Sequence, residues 1–200
     1  MTNKATLAEY ADKARAFSTK AGLRAWRGIR IAACFAWRRR CEIAAVAVLA
    51  AILAFHGVLD YRKAVFAHPE PDLDGYVWMA KRIAHFEPLA VEQPNPFLYH
   101  SHAWVETSKG LVTTKYAPGY PFLLAVFYWL GDDNTMFFLP PLAALLGLVG
   151  AYLLFREWMG RYASLAAVFV LSINDQFLFH SGYLLSHTTS LCLVVWGMYF

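Results

Sequence analysis

The stretch Ile43-Ala44-Ala45-Val46-Ala47-Val48-Leu49-Ala50-Ala51-Ile52-Leu53-Ala54-Phe55-His56-Gly57-Val58-Leu59 decides the fold class, because it contains no Asp, Glu, Lys or Arg. Its length is at the short end of what crosses a hydrocarbon core of about 30 Å. Arg38-Arg39-Arg40 stands just before it, so the positive-inside rule places the N-terminus in the cytoplasm. Met136 to Phe155 is a second uncharged run, and Tyr162 to Phe200 is apolar almost throughout. Hydrophobic residues make up 58% of the 200, aromatic residues 16% and charged residues 16%, and the apolar ones are gathered into runs. An all-α polytopic membrane protein of the cytoplasmic (inner) membrane is expected.

Charge separates the chain into a segment 1–41 and a transmembrane module 42–200. Residues 1–40 hold ten Lys or Arg against Glu9 and Asp12, whereas the remainder holds eight basic and twelve acidic residues. The isoelectric point near 9.0 therefore comes from the N-terminal segment. No aromatic-interleaved basic patch follows it, so nucleic acid is not an expected partner. A charged region this long, with no clear small-x-small site after the apolar run, means that a cleavable signal peptide is not expected. Leu7, Ala11, Ala14, Phe17, Ala21 and Ala25 recur at spacings of three and four between basic residues, predicting an amphipathic helix on the cytoplasmic leaflet. Cys34, Cys41 and Cys192 lack metal-type spacing and read as free thiols.

Within the module, spans are expected at 43–59, 136–155, 162–180 and, incompletely, 188–200, with an outer loop from Asp60 to Thr135. The final run reaches Phe200 without a basic stop, so the natural protein is expected to be longer. Tyr120 to Leu130 is apolar but short and reads as an interfacial or half-inserted helix. If it crossed, Asp132 and Asp133 would be cytoplasmic and Arg156 and Arg161 external, against the positive-inside rule. In the outer loop, Asp74 to Phe86 predicts a helix lying along the membrane, and Gln93-Pro94-Asn95-Pro96 an irregular connector. Trp104-Val105-Glu106 and Leu111-Val112-Thr113 flank Thr107-Ser108-Lys109-Gly110 as a hairpin.

Asp72 and Asp74, after Glu70, form the acidic cluster of this loop that is best placed for chemistry. Taken alone, such a cluster also suits a solvated helix start with Asp as N-cap. Pro71-Asp72-Leu73-Asp74-Gly75-Tyr76, an amphipathic helix, and then Lys115-Tyr116-Ala117-Pro118-Gly119-Tyr120-Pro121-Phe122-Leu123-Leu124 together resemble the first outer loop of GT-C glycosyltransferases. The nearest likeness is to the family 39 type, the protein mannosyltransferase and aminoarabinose transferase branch. Asp72 and Tyr76 match the family's Asp and the aromatic four positions later, whereas Leu73 stands where a Glu is common. Lys115, Gly119 and Tyr120 match its Lys-x-x-x-Gly-Tyr element.

This resemblance, covering about residues 43–200, implies GT-C-like transmembrane helices with interfacial helices in the outer loop. It implies that Asp72 is the general base toward an acceptor hydroxyl, with Asp74 in reserve. Lys115 would neutralise the phosphate of a polyprenyl-phosphate sugar, and Tyr76 and Tyr120 would line the substrate. A carboxylate at the nucleophile and a cation at the leaving phosphate stabilise opposite ends of one displacement. Lys115 also suits an interfacial anchor. His187, in Ser186-His187-Thr188-Thr189, stands where relatives carry a second acid, and either contacts substrate or starts a helix; Asp175 is a nearby substitute.

The implied partners are a lipid-linked sugar donor, a glycan, lipid or protein acceptor, and the bilayer. No cofactor is expected. His100-Ser101-His102 has too few ligands for a zinc site, and no Gly-rich phosphate loop or HExxH occurs. A non-enzymatic polytopic membrane protein, a transporter part or an assembly scaffold, is the alternative. Broken helices or buried charges at mid-membrane would mark a transporter, and His56 and Pro140-Pro141 are the spans' main irregularities.

Overall fold

The computed structural model describes residues 35, 37–62, 71–92 and 104–200, with the backbone alone at 71–74. The amphipathic segment predicted within 5–37 falls almost wholly outside these residues, as do Cys34, Gln93-Pro94-Asn95-Pro96 and the His100-Ser101-His102 pair. The chain divides into two compact units, Met1–Ala47 and Val48–Phe200. A helix α1, Trp37–Arg62, begins in the first and ends in the second. The elements that follow belong to the second unit.

Helix dominates the described residues. After α1 come α2 (Pro71–Ala84), β1 (Val91–Glu92), β2 (Trp104–Glu106), β3 (Leu111–Thr114), α3 (Gly119–Leu130) and α4 (Asp133–Met136). Then follow α5 (Leu139–Met159), α6 (Arg161–Ser172), α7 (Asp175–Gly182) and α8 (Ser186–Tyr199). Two stretches are long and apolar enough to cross a membrane, α1 and the 27 residues Asp133–Met159. A third crossing requires α6 and α7 to count as one span bent by 63°.

That bend departs from the uninterrupted span expected at 162–180. Helix α6 ends at Ser172, and Asn174 starts the next helix by accepting a 3.1 Å hydrogen bond from the Phe177 amide. An Asn at this position satisfies one of the four amides a helix N-terminus leaves orphaned. The cap is Asn174, and Asp175, the sequence candidate to substitute for a second acid, is the first residue of α7.

The predicted hairpin is present, with Trp104 opposite Thr114 and Glu106 opposite Val112. Beyond the all-helical expectation, β1 adds a third strand on the other side of β3, pairing Val91 with Val112. Gly110 takes φ +73 in the turn, a conformation open to glycine without a Cβ clash.

Helix α2 begins three residues earlier than expected, at Pro71, where a proline in the first turn lacks only an amide that would be orphaned anyway. It closes with Phe86 at φ +57, the Phe86 amide bonding Ile83 O and the Glu87 amide bonding Arg82 O. This is the paired bond set of a helix ending in one left-handed residue. Helix α3 lies against α2 in the same direction. At one end Tyr120 meets Tyr76, and at the other Trp129 Nε1 donates to Ala84 O at 2.9 Å. Twelve residues rise only about 18 Å, short of a hydrocarbon core.

Val77, Ala80 and Ala84 of α2 and Tyr120, Leu124 and Ala125 of α3 form one buried cluster with Met136, Leu139, Leu184 and Leu185. The linker between α7 and α8 is thereby packed against α2 and α3. Helix α5 packs along α8, where Gly150 admits Val195 and Trp196. A Cβ built on Gly150 would stand 3.0 Å from Val195 Cγ1. Small residues at such a contact let helix backbones approach closely.

Candidate functional site

Three segments distant in sequence meet around the Tyr76 ring. Tyr116, just after β3, lies with its ring centroid 4.4 Å from that of Tyr76, and Tyr120, in the first turn of α3, meets it edge-on at 5.1 Å. The Tyr76 hydroxyl reaches Ser186 Oγ, the first residue of α8, at 3.4 Å. Gly75 makes the approach of Tyr116 possible, since a Cβ there would stand 2.9 Å from Tyr116 Cε2. Such proximity requires glycine or a displaced ring.

Lys115 is exposed beside this cluster, its ammonium 5.2 Å from the Tyr116 ring centroid. That is within cation–π range, and an exposed contact of this kind contributes about 0.5–1 kcal/mol. The ammonium thus has an anchored mean position while remaining open to an anion. His187, next to Ser186, places its ring centroid 4.5 Å from that of His180 at the end of α7. Four of the six residues singled out from sequence, Tyr76, Lys115, Tyr120 and His187, are therefore carried by neighbouring elements.

Asp72 and Asp74 lie in the first turn of α2, and their side chains are outside the described residues. With α2 starting at Pro71, Asp74 is not the residue preceding the helix. Position 72 stands one turn before Tyr76, and position 74 is turned roughly 200° away from 72 around the axis.

The Tyr120 hydroxyl is buried and has no hydrogen-bond partner among the described residues. Burial, with the neighbouring Tyr76 adding to it, pushes its ionisation well above the ordinary phenol range. It therefore remains a proton donor at physiological pH. A buried donor without a partner marks a place for water or for a ligand oxygen.

A second polar cluster escaped the sequence reading. His56 and Asp60, one turn apart on α1, are 0% and 3% exposed. His56 Nδ1 donates to Ser172 O at 2.8 Å, while Nε2 lies 3.2 Å from Asp60 Oδ2, within ion-pair distance but off the line of a hydrogen bond. The other carboxylate oxygen accepts from Ser181 Oγ at 2.5 Å. The order is not that of a hydrolase triad, because the carboxylate stands between imidazole and serine and the imidazole does not contact the hydroxyl. The i, i+4 spacing of His56 and Asp60 was the available signal; their partners, 116 and 121 positions away, gave none.

Among the described residues no group of three or more His, Cys, Asp or Glu is arranged to hold a metal ion. Set against protein-family models, curated proteins and solved structures, the chain matches none.

Proposed function

We propose that the protein is a polytopic membrane glycosyltransferase of GT-C type, moving a sugar from a polyprenyl-phosphate donor to an acceptor on the extracytoplasmic side of the cytoplasmic membrane. One observation carries this reading: residues picked from separate motifs, Tyr76, Lys115, Tyr120 and the Ser186-His187 pair, lie together on one set of elements. In the proposed reaction Lys115 faces the donor phosphate, and the Tyr76, Tyr116 and Tyr120 rings line the sugar. Asp72, one turn before Tyr76, accepts the acceptor's proton. As the glycosidic bond to phosphate breaks, negative charge grows on the leaving phosphate and Lys115 stabilises it.

The test is sugar transfer in membranes from a labelled polyprenyl-phosphate sugar, comparing Lys115→Ala with Lys115→Arg. Removing a preorganised charge-stabilising donor costs about 2–4 kcal/mol of transition-state stabilisation, so kcat/KM for the donor should fall by about 30-fold to 10³-fold in the Ala variant and partly recover in the Arg variant. Donor kinetics unchanged by Lys115→Ala would leave the lysine as an interfacial anchor and sink the assignment.

The bent α6–α7 pair favours the second reading, a transporter, whereas the buried His56–Asp60 pair does not. From Arg40 to Asp60 the helix rises about 30 Å, so the pair stands near the far end of α1 rather than midway along it. Counterflow of solutes or protons in proteoliposomes, absent from protein-free vesicles, would establish transport.

A further inference from the structure

The hydrogen-bond roles in the His56 cluster follow from its partners. Ser172 O is a carbonyl and only accepts, so His56 Nδ1 carries a hydrogen. Ser181 Oγ has one hydrogen and two acceptors within reach, Asp60 Oδ1 at 2.5 Å and Leu178 O at 3.0 Å. The shorter contact is to the carboxylate, the stronger acceptor. The cluster therefore joins α1 to the last turn of α6 through the imidazole and to the last turn of α7 through the carboxylate. The two links thus stand at either side of the bend, one at the end of α6 and one at the end of α7.

What α7 carries next gives these bonds a wider role. Ser181 is followed by Gly182, the linker Tyr183-Leu184-Leu185, and then Ser186 and His187. Leu184 and Leu185 are buried in the core, and the ring of His180, beside Ser181, lies tilted against that of His187. Fixing Ser181 thus fixes the approach to the residue that Tyr76 touches.

We infer that His56, Asp60 and Ser181 are positioning residues, a buried clamp that holds the α7–α8 connection so that Ser186 meets Tyr76. Their importance for catalysis rests on the transferase reading, whereas the clamp itself is read from geometry. A purely stabilising pair would be replaceable by apolar side chains, since exchanging a buried ion pair for well-packed hydrophobic residues is often neutral. A positioning pair would not be, because apolar side chains cannot hold the Ser181 hydroxyl or the Ser172 carbonyl.

The experiment uses a chain whose natural cysteines are alanine and which carries Tyr76→Cys and Ser186→Cys. Crosslinking by a short bismaleimide in membranes reports how often the two positions meet. Adding His56→Leu and Asp60→Leu together should leave a folded helical protein yet slow crosslinking on the order of tenfold, a coupling within the range for packed sites. Ser181→Ala, which deletes one hydroxyl and creates no buried charge, should slow it in the same direction. Asp60→Asn, which keeps an acceptor for Ser181, should retain most of the rate.

If the double Leu variant fails to fold, Ser181→Ala decides alone. Parental crosslinking in Ser181→Ala, or in a folded double Leu variant, would overturn the clamp. Because crosslinking does not depend on turnover, a clamp that passes beside an absent transferase activity would count against the transferase reading only.

Discussion

Gly75 and Tyr116 are in direct contact, the place of the missing Cβ lying 2.9 Å from Tyr116 Cε2 and 3.1 Å from Cδ2. Forty-one positions separate them in sequence. The contact seats the ring that bridges Lys115 to Tyr76, so a glycine inside a helix, ordinarily a cost of about 0.5–1 kcal/mol relative to alanine, is what lets β3 and its following turn close on α2.

Gly75→Ala should therefore cost no more than about 2.5 kcal/mol of stability, because a gain of about 0.5–1 kcal/mol in helix propensity offsets part of an overpacking cost of about 1–3 kcal/mol. Sugar transfer should nevertheless drop, since the methyl moves Tyr116 and with it Lys115. Gly75→Val, bulkier and β-branched, should lower the thermal midpoint as well. Unfolding by circular dichroism in detergent, alongside transfer rates in membranes, checks both. Transfer at the parental rate in a stably folded Gly75→Val would show that Tyr116 can move without consequence.

The topology has a direct test in the contact between Lys81 on α2 and Asp133 at the start of α4, 2.5 Å apart. An exposed ion pair of this kind stabilises by only about 0–1 kcal/mol, but with the Tyr76–Tyr120 contact at the opposite end it marks both ends of α3 as held against α2, which a helix that does not cross would show. Asn134→Cys and Lys109→Cys should accordingly react with an impermeant thiol reagent from the same side. Labelling from opposite sides would put α3 across the bilayer.

What the sequence made legible and what it hid separate along physical lines. Uncharged runs announced α1 and Asp133–Met159 because a helix apolar enough to cross a membrane shows its character at nearly every residue along its length. The hairpin at Trp104–Thr114 was legible because alternation and turn residues are local. The break between Ser172 and Asn174 was not, because an Asn within an apolar run reads as a cap only once the helix before it is known to stop. Asp60 was assigned to a loop and His56 to a span, although they face one another a turn apart on one helix. Tyr116 was read merely as part of a motif, and nothing local reveals that its ring lies on Tyr76.

Two glycines on α5 should respond differently to enlargement. A Cβ at Gly147 would sit 3.6 Å from Cys192 Cα, an ordinary contact, whereas one at Gly150 would meet Val195 at 3.0 Å and Trp196 Nε1 at 3.1 Å. Gly147→Ala should be neutral or stabilising by up to about 1 kcal/mol. Gly150→Leu should destabilise by about 1–3 kcal/mol or more, as the Trp196 Nε1 hydrogen bond to Leu146 O is lost with the separation of α5 and α8. Thermal unfolding in detergent ranks them, and equal midpoints would refute the close packing at Gly150.

Helix α2 starts at Pro71, ahead of both Asp72 and Asp74. Both fall in the first turn, where a carboxylate gains about 0.3–1 kcal/mol from the helix dipole whatever else it does. What distinguishes them is register. Position 72 shares a stripe with Tyr76, whose ring touches Tyr116 and Tyr120 and whose hydroxyl meets Ser186; position 74 is turned away toward the stripe of Trp78. A base must reach the substrate proton, so the proposed role belongs to Asp72. Asp72→Asn keeps the shape and removes the basicity, and it should lower sugar transfer by about 10²–10⁴ with the fold intact. Asp74→Asn should cost no more than about 1 kcal/mol of stability and leave turnover nearly unchanged. Transfer rates and unfolding midpoints measured on the same membranes separate the two. An active Asp72→Asn beside an inactive, folded Asp74→Asn would reverse the roles, and activity in both would remove this loop from the chemistry.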